Sequence, residues 1–384
     1  MTHPILILGA GPAGLAMAGH LRQAGLPFEL LEKSGRVGFA WHHHYDRLHL
    51  HTVKELSHLP FLPFPEHYPR YVSRRDFCDY LEAYARHFDI RPQFGQEVIR
   101  VERERGLWRV DTQAGQSRHS PRVIVATGVN RVPHRPRLPG EESFRGEILH
   151  SRAYRRADPF RGKRILVIGM GNTGAEIALD LAEQGVEVAL SVRSPVNIVP
   201  RDAFGRPTQL TAHKLARLPR WLGDRIGKAV QRLTVGDLSR YGLRTSPMSP
   251  AKQLRVTGKT PVIDLGTVAL IKAGKITVYP GIEQLEATHV RFQDDRTVPV
   301  DAIILATGYR PQLEEIIPAL QGHLHADGIP ESLIGKGELD GLYFLGYDNY
   351  TPGGILGVIV RDSARIAAHL REMRASSRHP QMVS

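Results

Sequence analysis

Cysteine is nearly missing from this chain of 384 residues: Cys78 stands alone. An internal disulfide, a C-x-x-C redox pair and a cysteine zinc site are all excluded, and with them any disulfide reductase chemistry. Long apolar stretches are missing too, since none approaches the roughly 18 residues of a membrane-spanning helix. The first strand-like run begins at Pro4 with no basic segment or apolar leader ahead of it, so no secretory signal is expected and a cytoplasmic location is the default. Acidic residues are in deficit, 39 Asp and Glu against 51 Lys and Arg, for a formal charge of +12. The excess is local: residues 201–260 hold thirteen Lys and Arg against three Asp. A basic balance raises nucleic acid or lipid as partners. Confined to one stretch, it makes nucleic acid the less favoured reading and leaves a weak membrane-surface contact as a lesser one.

What the chain does have is 41% apolar residues, 37 Gly and 27 Pro, the composition of a turn-rich folded protein. Its length suggests about two or three domains. Pro4 to Leu8 reads as a strand, followed at once by Gly9-Ala10-Gly11-Pro12-Ala13-Gly14 and a helical pattern. A second apolar run, Phe28 to Leu31, ends in Glu32 and Lys33. Strand, G-x-G-x-x-G, helix, strand and acid in this order form the dinucleotide-binding fingerprint. Gly9 permits the tight turn, Gly11 lets backbone approach a pyrophosphate, and Gly14 lets helix and strand pack closely. The helix N-terminus faces the phosphates with free N–H groups. Glu32 accepts from ribose hydroxyls and repels a 2′-phosphate, which suits FAD or NAD.

The pattern recurs. Arg164 to Ile168 is a strand, Gly169-Met170-Gly171-Asn172-Thr173-Gly174 a second fingerprint, Ala175 to Gln184 a helix and Val186 to Val192 the next strand. This strand ends in Arg193 and Ser194, a guanidinium and a hydroxyl suited to a 2′-phosphate, so the second site is expected to take NADPH. Ala126-Thr127-Gly128 and Ala306-Thr307-Gly308-Tyr309 each close an apolar strand at a small-residue turn, which returns backbone to a dinucleotide site. The expected fold is α/β, a two-dinucleotide-binding flavoprotein. Its NADPH domain (156–270, with a basic, lid-like segment 201–260) is inserted into a discontinuous FAD domain (1–155 and 271–384).

Phe144 to Tyr154 reads F-x-G-x-x-x-H-x-x-x-Y. With this motif just ahead of the second fingerprint, the chain resembles the flavin-containing monooxygenases, and Tyr154 tilts it away from the related Baeyer–Villiger enzymes, whose motif typically ends in Trp. Over nearly the whole length it is similar to the YUCCA-like branch, through Tyr45 to His51, Leu59 to Tyr71, Arg193 to Arg201, Gly258 to Gly266 and Ala306 to Arg310. The resemblance implies FAD and NADPH as cofactors and oxidative decarboxylation of a 2-oxo acid, indole-3-pyruvate being the type substrate, with oxygen carried as a flavin C4a-(hydro)peroxide. It places Trp41, His49 and Thr52 near the flavin and adds Asn172 and Arg193 at the second site. Thr52 and Lys54 are the candidate catalytic residues. The wider family's N-x-x-K is replaced here by Thr52-Val53-Lys54, a departure that the branch shares.

Other readings stay open: N- or S-oxygenation of a soft nucleophile, an NADPH:acceptor flavin reductase, and a basic nucleotide-dependent binding protein or sensor. His42, His43, His44, His49 and His51 carry no metal-ligand spacing, so no metal is expected. Pro219 to Leu233 reads as an amphipathic helix with Trp221, Leu222, Ile226, Val230 and Leu233 on its apolar side, either a lid or a solvated face. Small organic substrate and O₂ are the expected partners; oligomeric state is not legible.

Overall fold

The computed structural model describes residues 3–378. Two parallel sheets organise it. The first runs in the order Phe28–Leu31, Ile5–Leu8, Val123–Val125, Leu342–Phe344. The second runs Ile276–Tyr279, Glu187–Ser191, Arg164–Ile168, Ala302–Leu305, Glu147–His150. In each, a fingerprint strand pairs in parallel with the strand after its helix on one side and with the strand that ends in Ala-Thr-Gly on the other. These strands are mostly apolar, with Glu29, Arg164, Glu187 and Ser191 as the exceptions, because a parallel sheet is covered on both faces.

Both units also carry a three-stranded antiparallel meander just before the Ala-Thr-Gly strand. In the first it is Val98–Glu104, Leu107–Thr112 and Ser117–Ser120; in the second it is Ile282–Leu285, His289–Phe292 and Thr297–Pro299. The internal repeat therefore extends well beyond the glycines.

Sheet membership corrects the sequence-based boundaries. Glu147–His150, Ile276–Tyr279 and Ala302–Leu305, all assigned above to the first unit, are hydrogen-bonded into the second sheet. The reason is physical: a parallel strand finds its partner through a crossover, so an isolated apolar run gives no local sign of which sheet it joins. From Leu313 onward the chain returns to the first unit: Leu313, Ile316 and Leu320 pack with Leu6, Leu8 and Val101, Leu342–Phe344 joins the first sheet, and the long helix Gly354–Arg378 packs on Pro12–Gln23.

The basic stretch holds helices Thr208–Leu215, Arg220–Val235 and Pro250–Thr257. Leu222, Ile226 and Val230 are half-buried, whereas Trp221 and Leu233, expected on the same apolar side, stand in solvent at 62% and 78% exposure. Gln231 is buried instead, donating to Asn197 Oδ1 and the Ile198 carbonyl. No helix among the described residues is long and apolar enough to cross a membrane.

Asp301 ties the start of two central strands of the second sheet together. It accepts from the Arg164 backbone N–H at 2.8 Å and from its guanidinium at 2.9 and 2.7 Å. These bonds, the guanidinium first, hold the carboxyl well below its ordinary 3.8, at about 2. The folded state thus binds this proton more weakly than the unfolded chain, so the stability gained is present above about pH 4 and lost as pH falls through about 2. Asp301→Asn is expected to cost about 1 kcal/mol at neutral pH, the pair being partly exposed. The difference in thermal midpoint from wild type should shrink between pH 4 and pH 2.

Candidate functional site

The two fingerprint turns have the same shape for the same steric reasons. Gly9 and Gly169 sit at φ +105° and +100°, and a Cβ on either would lie 2.8 or 2.7 Å from the carbonyl oxygen of Ala126 or Ala306. The two Ala-Thr-Gly turns are therefore the opposite walls of the two cradles. Gly14 and Gly174 have no room at all, with a Cβ 1.9 and 2.0 Å from the carbonyls of Gly9 and Gly169. Gly11 and Gly171, in contrast, face open space, with nothing within 4 Å of a Cβ. Each caps a helix that opens at once, Pro12–Gln23 with Pro at its first position and Asn172–Glu183, and neither has an acidic first turn to compete for an anion. Open space at the middle glycine and contact at the outer two is the shape that a pyrophosphate requires, so both cradles fit a dinucleotide.

The strand ends distinguish them. Glu32 is buried, and its carboxylate accepts from Ala10 N at 2.7 Å through one oxygen and from Ser34 N at 2.9 Å through the other, so it is fixed over the first turn with lone pairs to spare. Lys33 points away, 4.0 Å from Glu97. Arg193 and Ser194 are exposed at the second strand end, and the Arg193 carbonyl receives Arg244 Nη2 at 2.5 Å. Arg244, which sequence reasoning missed, thus brings a second guanidinium to this corner; the basic stretch was its only signal.

Other expected residues take definite places. Ala13 is buried in the first helix, and Asn172 Oδ1 accepts from Ile263 N at 2.6 Å, while Thr173 lies half-buried at the helix start. Thr127 Oγ1 meets the buried Tyr347 hydroxyl at 2.8 Å. Thr307 donates to the His134 carbonyl, and Gly308 keeps a positive φ behind it. The F-x-G-x-x-x-H-x-x-x-Y segment is a clasp on this second wall. His150 Nε2 bonds the Gly308 carbonyl at 3.0 Å, Arg152 lies over the Tyr309 ring at 5.0 Å, and Tyr154 donates to Asp180 at 2.6 Å.

Trp41 stands in the short helix Phe39–His42, edge-on to Phe77 and His44. Burial first, then Arg155, Arg152 and Arg74, push His44 down to about 4 and keep its imidazole uncharged at neutral pH. The five histidines diverge: His43 binds the Phe39 carbonyl, His49 the Arg47 carbonyl, and His51 the Glu176 carboxylate. Thr52 shares a 2.6 Å hydrogen bond with Ser57 and lies against the glycine turn at Gly354, whose Cβ would come 2.8 Å from its methyl. Lys54 spends its ammonium on the carbonyls of Glu66 and Tyr68, both at 2.8 Å, and so anchors the proline-rich segment. Within that segment Phe64 packs on Tyr80 in the core, whereas Phe61 is 53% exposed.

Beside Thr52 and Gly354 lies a cavity of about 390 Å³ bounded by Leu56, His58, His213, Thr351, Gly353 and Val358. Gln209, at the start of the basic stretch, spans its rim by accepting from Val53 N and donating to the Gly353 carbonyl. A more open hollow of about 520 Å³ at Arg135–Glu142 touches none of the cradle residues.

Comparison with known proteins agrees with this geometry. A family model described as flavin-binding monooxygenase-like matches residues 3–322. The chain is 39% identical over 373 residues to the probable indole-3-pyruvate monooxygenase YUCCA9 of Arabidopsis thaliana, covering 94% of this chain and 87% of that one. It is 38% identical over 393 residues to the indole-3-pyruvate monooxygenase YUCCA8 of Oryza sativa subsp. indica, covering 97% and 92%. Among solved structures it shares its fold with a flavin-containing monooxygenase from Stenotrophomonas maltophilia (TM-score 0.75, 22% identity, 97% and 99% covered). A steroid monooxygenase bound to NADP has the same fold (TM-score 0.74, 18% identity, 98% and 86% covered).

Three glycine substitutions separate cradle from scaffold. Gly11→Ala, placed in open space at φ −80°, should leave thermal stability nearly unchanged but yield colourless protein. Gly171→Ala should keep the flavin and lose the nicotinamide nucleotide. Gly14→Ala drives a methyl into backbone and should cost roughly 1–3 kcal/mol of stability. Visible absorbance and melting curves of the purified variants check the first and third, and calorimetric titration with NADP⁺ checks the second.

Proposed function

This chain belongs to the flavin-binding monooxygenase-like family, and on that premise we propose that it is an NADPH-dependent FAD monooxygenase acting on an aromatic 2-oxo acid such as indole-3-pyruvate. Overall, the acid, one O₂, NADPH and a proton become the acid shortened by one carbon, CO₂, water and NADP⁺. The observation that carries the reading is the contrast between the two strand ends. The same open cradle is closed by a buried carboxylate in one unit and by exposed arginine in the other.

A bound flavin supplies the redox and oxygen chemistry. The protein's residues do the rest. Gly11 with the start of the helix Pro12–Gln23 would hold the FAD pyrophosphate, with Glu32 on its ribose. Gly171 with Asn172–Glu183 would hold that of NADPH, with Arg193, Ser194 and Arg244 around the 2′-phosphate. Thr52, Trp41 and the Gly353–Gly354 turn would line the space where the two cofactors meet. The basic segment 201–260, joined to that wall through Gln209, serves as the cover that excludes water, which an oxygen-activating site needs to avoid wasteful loss of peroxide. N- or S-oxygenation is less favoured, because the most similar relatives quoted above are named for a 2-oxo acid.

Oxygen uptake with NADPH tests this directly. Indole-3-pyruvate should raise it and give indole-3-acetate in step with NADPH consumed. Steady uptake ending wholly in hydrogen peroxide would overturn the reading. Arg193→Ala and Arg244→Ala should each raise KM for NADPH about tenfold, the scale of a lost charged hydrogen bond, with KM for NADH unchanged.

A further inference from the structure

The helix Asn172–Glu183 presents Glu176, Asp180 and Glu183 to residues brought across from the first unit and the clasp. The two carboxylates farther from the cradle are well supplied: Asp180 takes Tyr154 and lies 3.6 Å from Arg47, and Glu183 takes Arg47 at 2.7 Å. Glu176 differs. It is nearest the cradle, only 1% exposed, and one of its oxygens binds His51 Nε2. Its other oxygen, Oε2, is buried and meets no donor among the described residues. Tyr45 faces the same carboxylate; burial, then the Glu176 charge and a hydrogen-bonding contact with Glu176, push its hydroxyl well above the ordinary phenol range, so it stays protonated, yet its approach falls short of a full hydrogen bond to Oε2.

A buried carboxylate oxygen without a donor is costly, whereas a donor arriving with a ligand removes the cost. Position says which part of a ligand that is. Arg193 and Arg244 mark the far corner of the second cradle, at the end of Glu187–Ser191. Glu176 faces the opposite way, toward His51 and Tyr45 of the first unit. A nucleotide that gives its hydride to a cofactor in the first unit must send its nicotinamide half to that seam.

We propose that Glu176 is a positioning residue with two assignments: Oε1 fixes His51, which directly precedes Thr52, and Oε2 accepts a hydrogen bond from an amide or hydroxyl donor of the nicotinamide half of NADP(H). The inference rests on the second cradle taking NADPH. It ranks Glu176 among the cofactor contacts, although the fingerprint ends two residues earlier. It also makes the His51–Glu176 contact the link through which nucleotide binding is felt beside Thr52.

Equilibrium titration of the flavin-loaded protein with two probes tests it. NADP⁺ carries the nicotinamide half; 2′,5′-ADP carries only the adenosine half with its 2′-phosphate. Glu176→Gln should weaken NADP⁺ about tenfold while changing 2′,5′-ADP less than twofold, the latter also certifying an intact fold. Equal losses for both probes, or no loss for either, would overturn the proposal. Should Glu176→Gln prove unstable, Glu176→Asp decides, since a carboxylate drawn back by one methylene should give the same split. Wild-type protein that binds neither probe would sink the NADPH assignment and this inference with it.

Discussion

A methyl group on Gly14 would sit 1.9 Å from the carbonyl oxygen of Gly9, and one on Gly174 would sit 2.0 Å from that of Gly169. The rest of the molecule follows from this closeness. It presses each helix onto its strand, aims the helix N-terminus at the turn, and leaves the middle glycine as the one of the three that faces open space. A helix start held in this way carries partial positive charge and unpaired N–H groups, which favour phosphate over any neutral group. Built twice, the arrangement gives two cradles whose difference lies in the strand-end side chains and not in the backbone.

The duplication runs deeper than the glycines. Each unit repeats strand, helix, strand, meander and Ala-Thr-Gly turn, so each cradle has the same opposite wall. The join is asymmetric. Residues 45–54 of the first unit reach across to the second unit's helix through Arg47 and His51, and the segment ending in Tyr154 joins them on the same helix at Asp180 while also holding the Thr307–Tyr309 turn. Residues 45–54 of one unit are thus anchored on the fingerprint helix of the other. That is the arrangement an electron transfer between two bound cofactors needs, because reacting groups must be held close in a fixed orientation.

What could be read in advance was what short-range sterics dictate. Gly9, Gly11 and Gly14 are required by a turn that spans six residues, and Glu32 ends a strand whose length the apolar run gives directly. The limits were equally physical. Ala302–Leu305 looks like any buried strand, and only its crossover decides that it pairs with Arg164–Ile168. Trp221 and Leu233 fit a helical period yet lie outside the half-buried stripe, since period alone does not fix which way a wide stripe turns. His51 and Glu176 are separated by 125 residues, and neither belongs to a motif that names the other. Lys54 carried a family expectation, and its carbonyl partners on the proline-rich segment became visible only in three dimensions.

Two cradles that differ at their strand ends should let one chain hold two different nucleotides at once. Calorimetric titration of flavin-loaded protein with NADP⁺ addresses it without relying on turnover. One equivalent should bind per chain with the flavin still in place, and adding FAD should leave that binding unaltered. Displacement of flavin by NADP⁺, or mutual competition between the two, would mean a single shared site and would rule out two separate cradles.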